Sequence, residues 1–288
     1  MNTHQVTLRS AGLCASVCAT IMLLGACASG APRDLVRTSE TPTETAPAVD
    51  QVVQSPTAVT PEARPALVND QVRAINWKQD KPGCSGSCPS ITVESFEIGG
   101  EPRFNAIIDH ALAYMTANEG DARQTFDTLQ AYRDYFWQHA QPMDQSEFHA
   151  RLLRHNPVLI VAELKSGHYL TGAAHGMHAT QYLNWDRHLG KVLSLDDILL
   201  PGQRPAFEQA LRAAHARWLA DNDDAQEQPE QYNRLWPFQP SDNVALAEDH
   251  AIIKYDTYDI APYSMGQPEL TIPYAQLQGI FRPEYLPR

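Results

Sequence analysis

Apolar and polar positions along the chain fall into two periods, one of two residues and one of three to four. Residues 67–77 and 90–98 have the alternation and β-branched content of strands, and the second run stops at Gly99-Gly100. Asn105 then fits an N-cap, and Ile108, Ala111 and Met115 recur at helical spacing until Asn118-Glu119-Gly120 ends the pattern. Asp121 and Gln124 form a capping-box pattern ahead of a second helix striped by Phe126, Leu129, Tyr132 and Phe136, a stripe expected to be core. Residues 147–154, a turn at His155-Asn156-Pro157, and residues 158–164 predict a hairpin. Its second arm is apolar on both faces, as a central, covered strand should be.

Further on, residues 169–171 and 179–183 predict strands joined by a loop over 172–178, and residues 186–190 form a turn into Lys191-Val192-Leu193. Ser194 caps a short helix that Pro201-Gly202 stops, and Pro205 opens a long helix lined by Phe207, Leu211, Ala214 and Trp218. The acidic stretch 221–230 lacks the glycine and terminal glutamate of a calcium loop and is expected to be a solvated loop. Strands over 251–255 and 269–272 enclose a loop at 258–266, and Pro273 opens a last helical turn that ends near Gly279. Strands and helices follow without regular βαβ alternation. That order predicts an α+β fold of antiparallel sheets with helices packed on one face, in two successive α+β units.

Composition changes this picture mainly at the N-terminus. Overall, 43% hydrophobic and 19% charged residues are ordinary globular values, and a net charge of −12 argues against a general affinity for nucleic acid. The acidity favours encounter with cationic partners or serves solubility alone. Near the start, Arg9 precedes an uncharged run whose apolar part, Leu13 to Leu24, is too short to span a bilayer and fits a signal-peptide core. The run ends in Leu24-Gly25-Ala26-Cys27, which resembles the bacterial lipobox. That resemblance implies a signal peptide over 1–26, lipidation of Cys27 and a membrane held through an N-terminal lipid anchor. Ala28 at the following position, where a sorting Asp would otherwise stand, implies the periplasmic side of the outer membrane in a Gram-negative type of envelope. An ordinary secretory signal or an N-terminal membrane anchor is the alternative.

Residues 27–65 are rich in Pro, Thr, Ala and Glu, without aromatics or apolar period, and are expected to form a disordered tether spanning roughly 35 Å. Of the five cysteines, Cys14 and Cys18 leave with the signal peptide and Cys27 takes the lipid. Cys84 and Cys88 remain, and an even pair in an exported chain predicts a disulfide. Closing so short a loop contributes only about 2 kcal/mol, so its role is to shape a turn. A metal or redox site is the alternative, and no further ligands lie nearby in sequence.

Several short stretches resemble the RsiV-type C-terminal domain: Thr171-Gly172-Ala173-Ala174-His175-Gly176, Asn184-Trp185-Asp186, Gly190-Lys191, Leu195-Asp196-Asp197, Tyr258-Asp259-Ile260-Ala261-Pro262-Tyr263 with Gly266, and Ile272-Pro273. Residues 66–165, with the run CPSITVESF and the helix after Asn105, resemble more loosely the domain that usually precedes it, one shared with a PdaC-type peptidoglycan deacetylase. The resemblance implies two domains, 66–165 and 166–288. Where the family pattern is Gly-Gly-Ala-His, this chain has Gly172-Ala173-Ala174-His175, so any positive φ at the second position is lost. The best understood relative of this type is the ectodomain of a lysozyme-binding anti-sigma factor. Only nine residues precede the apolar run here, too few for a cytoplasmic sigma-binding segment, so extracytoplasmic recognition is what the resemblance implies.

The chain shows no G-x-S-x-G, H-E-x-x-H or P-loop pattern, and no catalytic residue, metal site or cofactor is expected. His168, His175, His178 and His188 are the densest histidine set. On an extended strand 175 and 178 would face opposite ways, so zinc would need a bent loop, and a structural role for His175 in the glycine loop is favoured. Asp256 and Asp259 could form an acidic rim. The expected recognition residues are Gly172, His175, His178, Tyr258, Asp259, Pro262 and Tyr263, because aromatic side chains supply large contact area and Pro262 limits loop entropy. Rings capping a sheet edge as core are the alternative. The expected partner is a lysozyme-like protein or peptidoglycan. An enzyme acting on cell wall through 168–178 and a structural assembly factor are the competing classes, and oligomeric state stays open.

Overall fold

The computed structural model describes residues 70–116 and 124–287. The expected leader, the Cys27 lipid site, the tether, the Asn118–Gly120 helix stop and Asp121 lie outside them, and the helix expected to follow Asp121 and Gln124 starts only at Leu129, capped by the Thr128 hydroxyl, which accepts from Ala131 N at 3.1 Å. Six strands run in sequence order through one sheet: β1 (Val72–Asp80), β2 (Ser90–Ile98), β3 (Gln145–His155), β4 (Leu159–Tyr169), β5 (Met177–Asp186) and β6 (Lys191–Val192). Neighbours are antiparallel except β2 and β3, which are parallel. A parallel pair needs a long crossover, and α1 (Pro102–Tyr114) and α2 (Leu129–His139) lie within it. The fold is thus α+β with antiparallel sheets, and this crossover makes the one parallel pairing among the described residues.

β4 is the strand around which two cores form. Ile160, Ala162 and Leu164 point to α1 and α2 and pack with Phe104, Ile108, Phe136 and Phe148. Leu159 and Val161, on the other face, join a second core with α4 (Arg204–Ala220) and an antiparallel three-stranded sheet, β7 (Val244–Leu246), β8 (His250–Lys254) and β9 (Glu269–Pro273). The run that is apolar on both faces in sequence is therefore covered on both faces. The boundary expected at 165/166 lies inside β4.

Several local expectations hold. Ser194 caps α3 (Leu195–Ile198) in a reciprocal capping box with Asp197, and Pro205 stands in the first turn of α4. Cys84 and Cys88 are disulfide-bonded in the turn between β1 and β2. Others are corrected. Pro102 starts α1 with Glu101 at its cap, so Asn105 lies inside the helix, where its amide bonds both the N–H and the carbonyl of Ile98 at 2.9 and 3.0 Å. The strand expected at 169–171 is only the end of β4. Residues 221–230 hold two helices, α5 (Asp223–Glu227) and α6 (Pro229–Leu235), in place of a loop. Asn222 caps α5 by accepting from Ala225 N at 3.1 Å, and Asp223 and Asp224 sit in its first turn, where backbone N–H groups favour negative charge. Three-residue β7 is too short to show a period in sequence.

Candidate functional site

The loop between β4 and β5 and the loop between β8 and β9 meet, and side-chain amides fix where they do. Among the described residues, β6 pairs only with Trp185 and Asp186 and no other strand covers the rest of the outer edge of β5. There Asn243 accepts from Tyr182 N at 2.9 Å and donates to Thr180 O at 2.7 Å, taking the place of a strand. Asn184 answers from β5 by bonding the Val244 carbonyl and the Leu246 N–H. Thr180 also donates to the Gln267 side chain at 2.7 Å, and Gln267 donates to Asp256 at 3.1 Å. The 256–267 loop is thus tied to the start of β5.

Gly172 takes φ +89°, and Ala173 N donates to Leu170 O at 2.9 Å to close the turn. Ala173 itself is not in the left-handed region, as its Cβ requires. His175 is exposed, and its ring lies 4.1 Å from that of Tyr263, centroid to centroid. Tyr263 is 5.9 Å from Tyr258, which stacks in turn on Trp236 at 6.2 Å and 23°. Four rings therefore form one row along the surface, drawn from two loops and the end of α6. The Tyr263 hydroxyl donates to Gly176 O at 3.1 Å, and His175 Nδ1 lies 2.9 Å from the same oxygen.

Tyr258 holds φ +76°, one of two described non-glycine residues in this region, and is 55% exposed. Its turn is closed by Asp259 N donating to Asp256 O at 3.2 Å, while the Asp259 carboxylate accepts from Asp256 N at 2.8 Å. Asp259 thus shapes the turn that presents Tyr258. Pro262 precedes a 3-10 turn at Tyr263–Met265 and lines a cleft with α5 and α6. Trp236 escaped the sequence reading because a single Trp after a short helix carries no periodic signal.

The histidines disperse. His178 lies on the sheet face away from α1 and α2, its ring against Gly167 and Gly176, and borders a polar hollow of about 310 Å³ with Glu147, His149, Lys165 and Lys254. His168 packs on the opposite face against Tyr132 and Phe148, and its Nδ1 lies 3.1 Å from the Ser146 hydroxyl. Burial, with His178 nearby, pushes the His168 imidazole down to about 4. His188 sits in the exposed turn after β5. Among the described residues, no three His, Cys, Asp or Glu side chains are grouped to hold a metal ion. The row offers flat ring faces and hydrogen-bonding tips, the chemistry of contact.

A family model described as "Protein of unknown function (DUF3298)" matches residues 196–275, a span that includes Trp236, Tyr258 and Tyr263. A solved DUF3298 family protein from Pseudomonas aeruginosa is 36% identical, with 76% of this chain and 97% of that one covered and a TM-score of 0.69. A solved member from Bacteroides fragilis is 18% identical, covering 75% and 96%, with a TM-score of 0.58, a likeness of fold. No curated protein matches the chain.

Proposed function

The chain belongs to the DUF3298 family, and from that premise we propose that it is a non-enzymatic binding module of the cell envelope. It is held through a lipid on Cys27 at the periplasmic side of the outer membrane, with residues 27–65 as tether. Its partner is a cationic, lysozyme-like protein, gripped by the loops at Gly172–His178 and Tyr258–Gly266. The observation that carries this reading is the row His175, Tyr263, Tyr258 and Trp236, whose outer members come from separate parts of the chain. Exposed aromatic faces are what interfaces use for contact area at low entropic cost. Holding Tyr258 at positive φ costs about 1 kcal/mol, a cost that accompanies functional positioning. The net charge of −12 steers a cationic partner.

The test is calorimetry of the chain with c-type lysozyme, together with a lysis-inhibition assay. Saturable heats and slowed lysis are expected; flat heats with undiminished lysis overturn the proposal. A second reading, cell-wall glycan as the ligand, is favoured by the polar hollow beside His178, lined by hydrogen-bonding side chains such as Glu147, His149, Lys165 and Gln267. Co-sedimentation with purified peptidoglycan decides it.

A further inference from the structure

The row of rings ends at a cleft that the recognition surface by itself does not explain. Trp236, stacked on Tyr258, forms one wall of a hollow of about 210 Å³, and Pro262 closes it from the loop side. Tyr232 lines it too, largely buried, with its hydroxyl engaged by the Asn222 amide at 3.3 Å and by the Ile260 carbonyl at 3.4 Å. Asp224 and Glu227, both exposed, line it together with Gln228, Gln231 and Leu235. The two acids stand three residues apart on α5, a spacing that puts both carboxylates on one side of the helix, where like charges repel. Among the described residues neither makes an ion pair.

An indole and two carboxylates lining one cleft offer a cation both the ring quadrupole and direct charge. A volume of this size admits the end of one long side chain and excludes a folded element. We propose that the cleft receives a lysine or arginine side chain of the bound partner, its charged head against Trp236 and balanced by Asp224 and Glu227. The inference rests on the recognition reading and supplies its anchor: one cationic side chain held at the end of the ring row, between an indole and two carboxylates.

The experiment uses the full chain in mild detergent, titrated with c-type lysozyme, as wild type, as Trp236→Leu and as the double variant Asp224→Asn, Glu227→Gln. Unfolding midpoints confirm that each variant folds. A loss of about tenfold or more in affinity for both variants is expected. Unchanged affinity overturns the anchor while leaving lysozyme recognition in place. If lysozyme does not bind the wild type, the recognition reading fails, and the cleft is judged by the indole N–H signal of Trp236 on addition of butylammonium or butylguanidinium. A shift that the double variant abolishes supports the cleft, and no shift overturns it.

Discussion

The His175 and Tyr263 rings lie 4.1 Å apart, tilted by 37°, and converge on one acceptor, the carbonyl of Gly176. Removing only the hydroxyl, in Tyr263→Phe, leaves the ring and should cost about 1 kcal/mol. Tyr263→Ala should uncouple the two loops. The expected readout is faster amide exchange at 172–178 and at 258–266 together, with Tyr263→Phe close to wild type. Exchange confined to one loop would show that the ring contact does not couple them.

Tyr258 stands where glycine is at ease. Tyr258→Gly relieves the left-handed backbone but loses the contacts with Tyr263 and Trp236 and loosens the unfolded chain. Stability should therefore stay within about 1 kcal/mol of wild type. Lysozyme affinity should fall by contrast, because the exposed ring is gone. Parallel urea melts and calorimetry separate the two effects.

Gly167 and Gly176 make room for the His178 ring. A Cβ on Gly167 would stand 3.1 Å from His178 Nδ1, at the end of an exposed side chain that can swing away. A Cβ on Gly176 would meet the backbone oxygen of His168 at 3.3 Å as well as the ring. Gly176→Ala should accordingly be the less stable variant in urea, while Gly167→Ala mainly moves the His178 ring signals in NMR spectra.

His168 links stability to pH. Its folded value, about 4, lies below the unfolded value near 6.5, so the unfolded chain binds the proton first. Its contribution is present above pH 6.5 and is lost as pH falls toward 4. From pH 7 to pH 5 this group alone should remove about 2 kcal/mol. The difference in urea midpoint between these pH values should shrink in His168→Asn, and an unchanged difference would count against the assignment.

Arg187 is buried between Glu101, at 2.9 Å, and Asp70, at 2.9 Å, and Trp185 Nε1 donates to the other Glu101 oxygen at 3.2 Å. Arg187→Met leaves a buried carboxylate without its closest cation and should cost about 3–5 kcal/mol. Adding Glu101→Gln should recover part of it. The double-mutant cycle measures the coupling between the two.

What was legible in the sequence was local. The two-faced apolar run of β4, the Ser194 cap, the Pro205 helix start and the Cys84–Cys88 pair each depend on residues a few positions apart, and each was readable there. The loops at 172–178 and 258–266 were legible as candidates, by their glycine and aromatic content. The starts of α1 and α5 were less legible: Asn105 has the side chain of a cap and 221–230 the charge of a solvated loop, whereas Pro102 and Asn222 fix the helix starts. That the loops touch and that Trp236 completes the row were decided by tertiary structure. Those contacts join segments far apart in the chain, and they exist because Asn243, Asn184 and Gln267 lay the second sheet against β5; no period in the sequence encodes which distant edge a side-chain amide will satisfy.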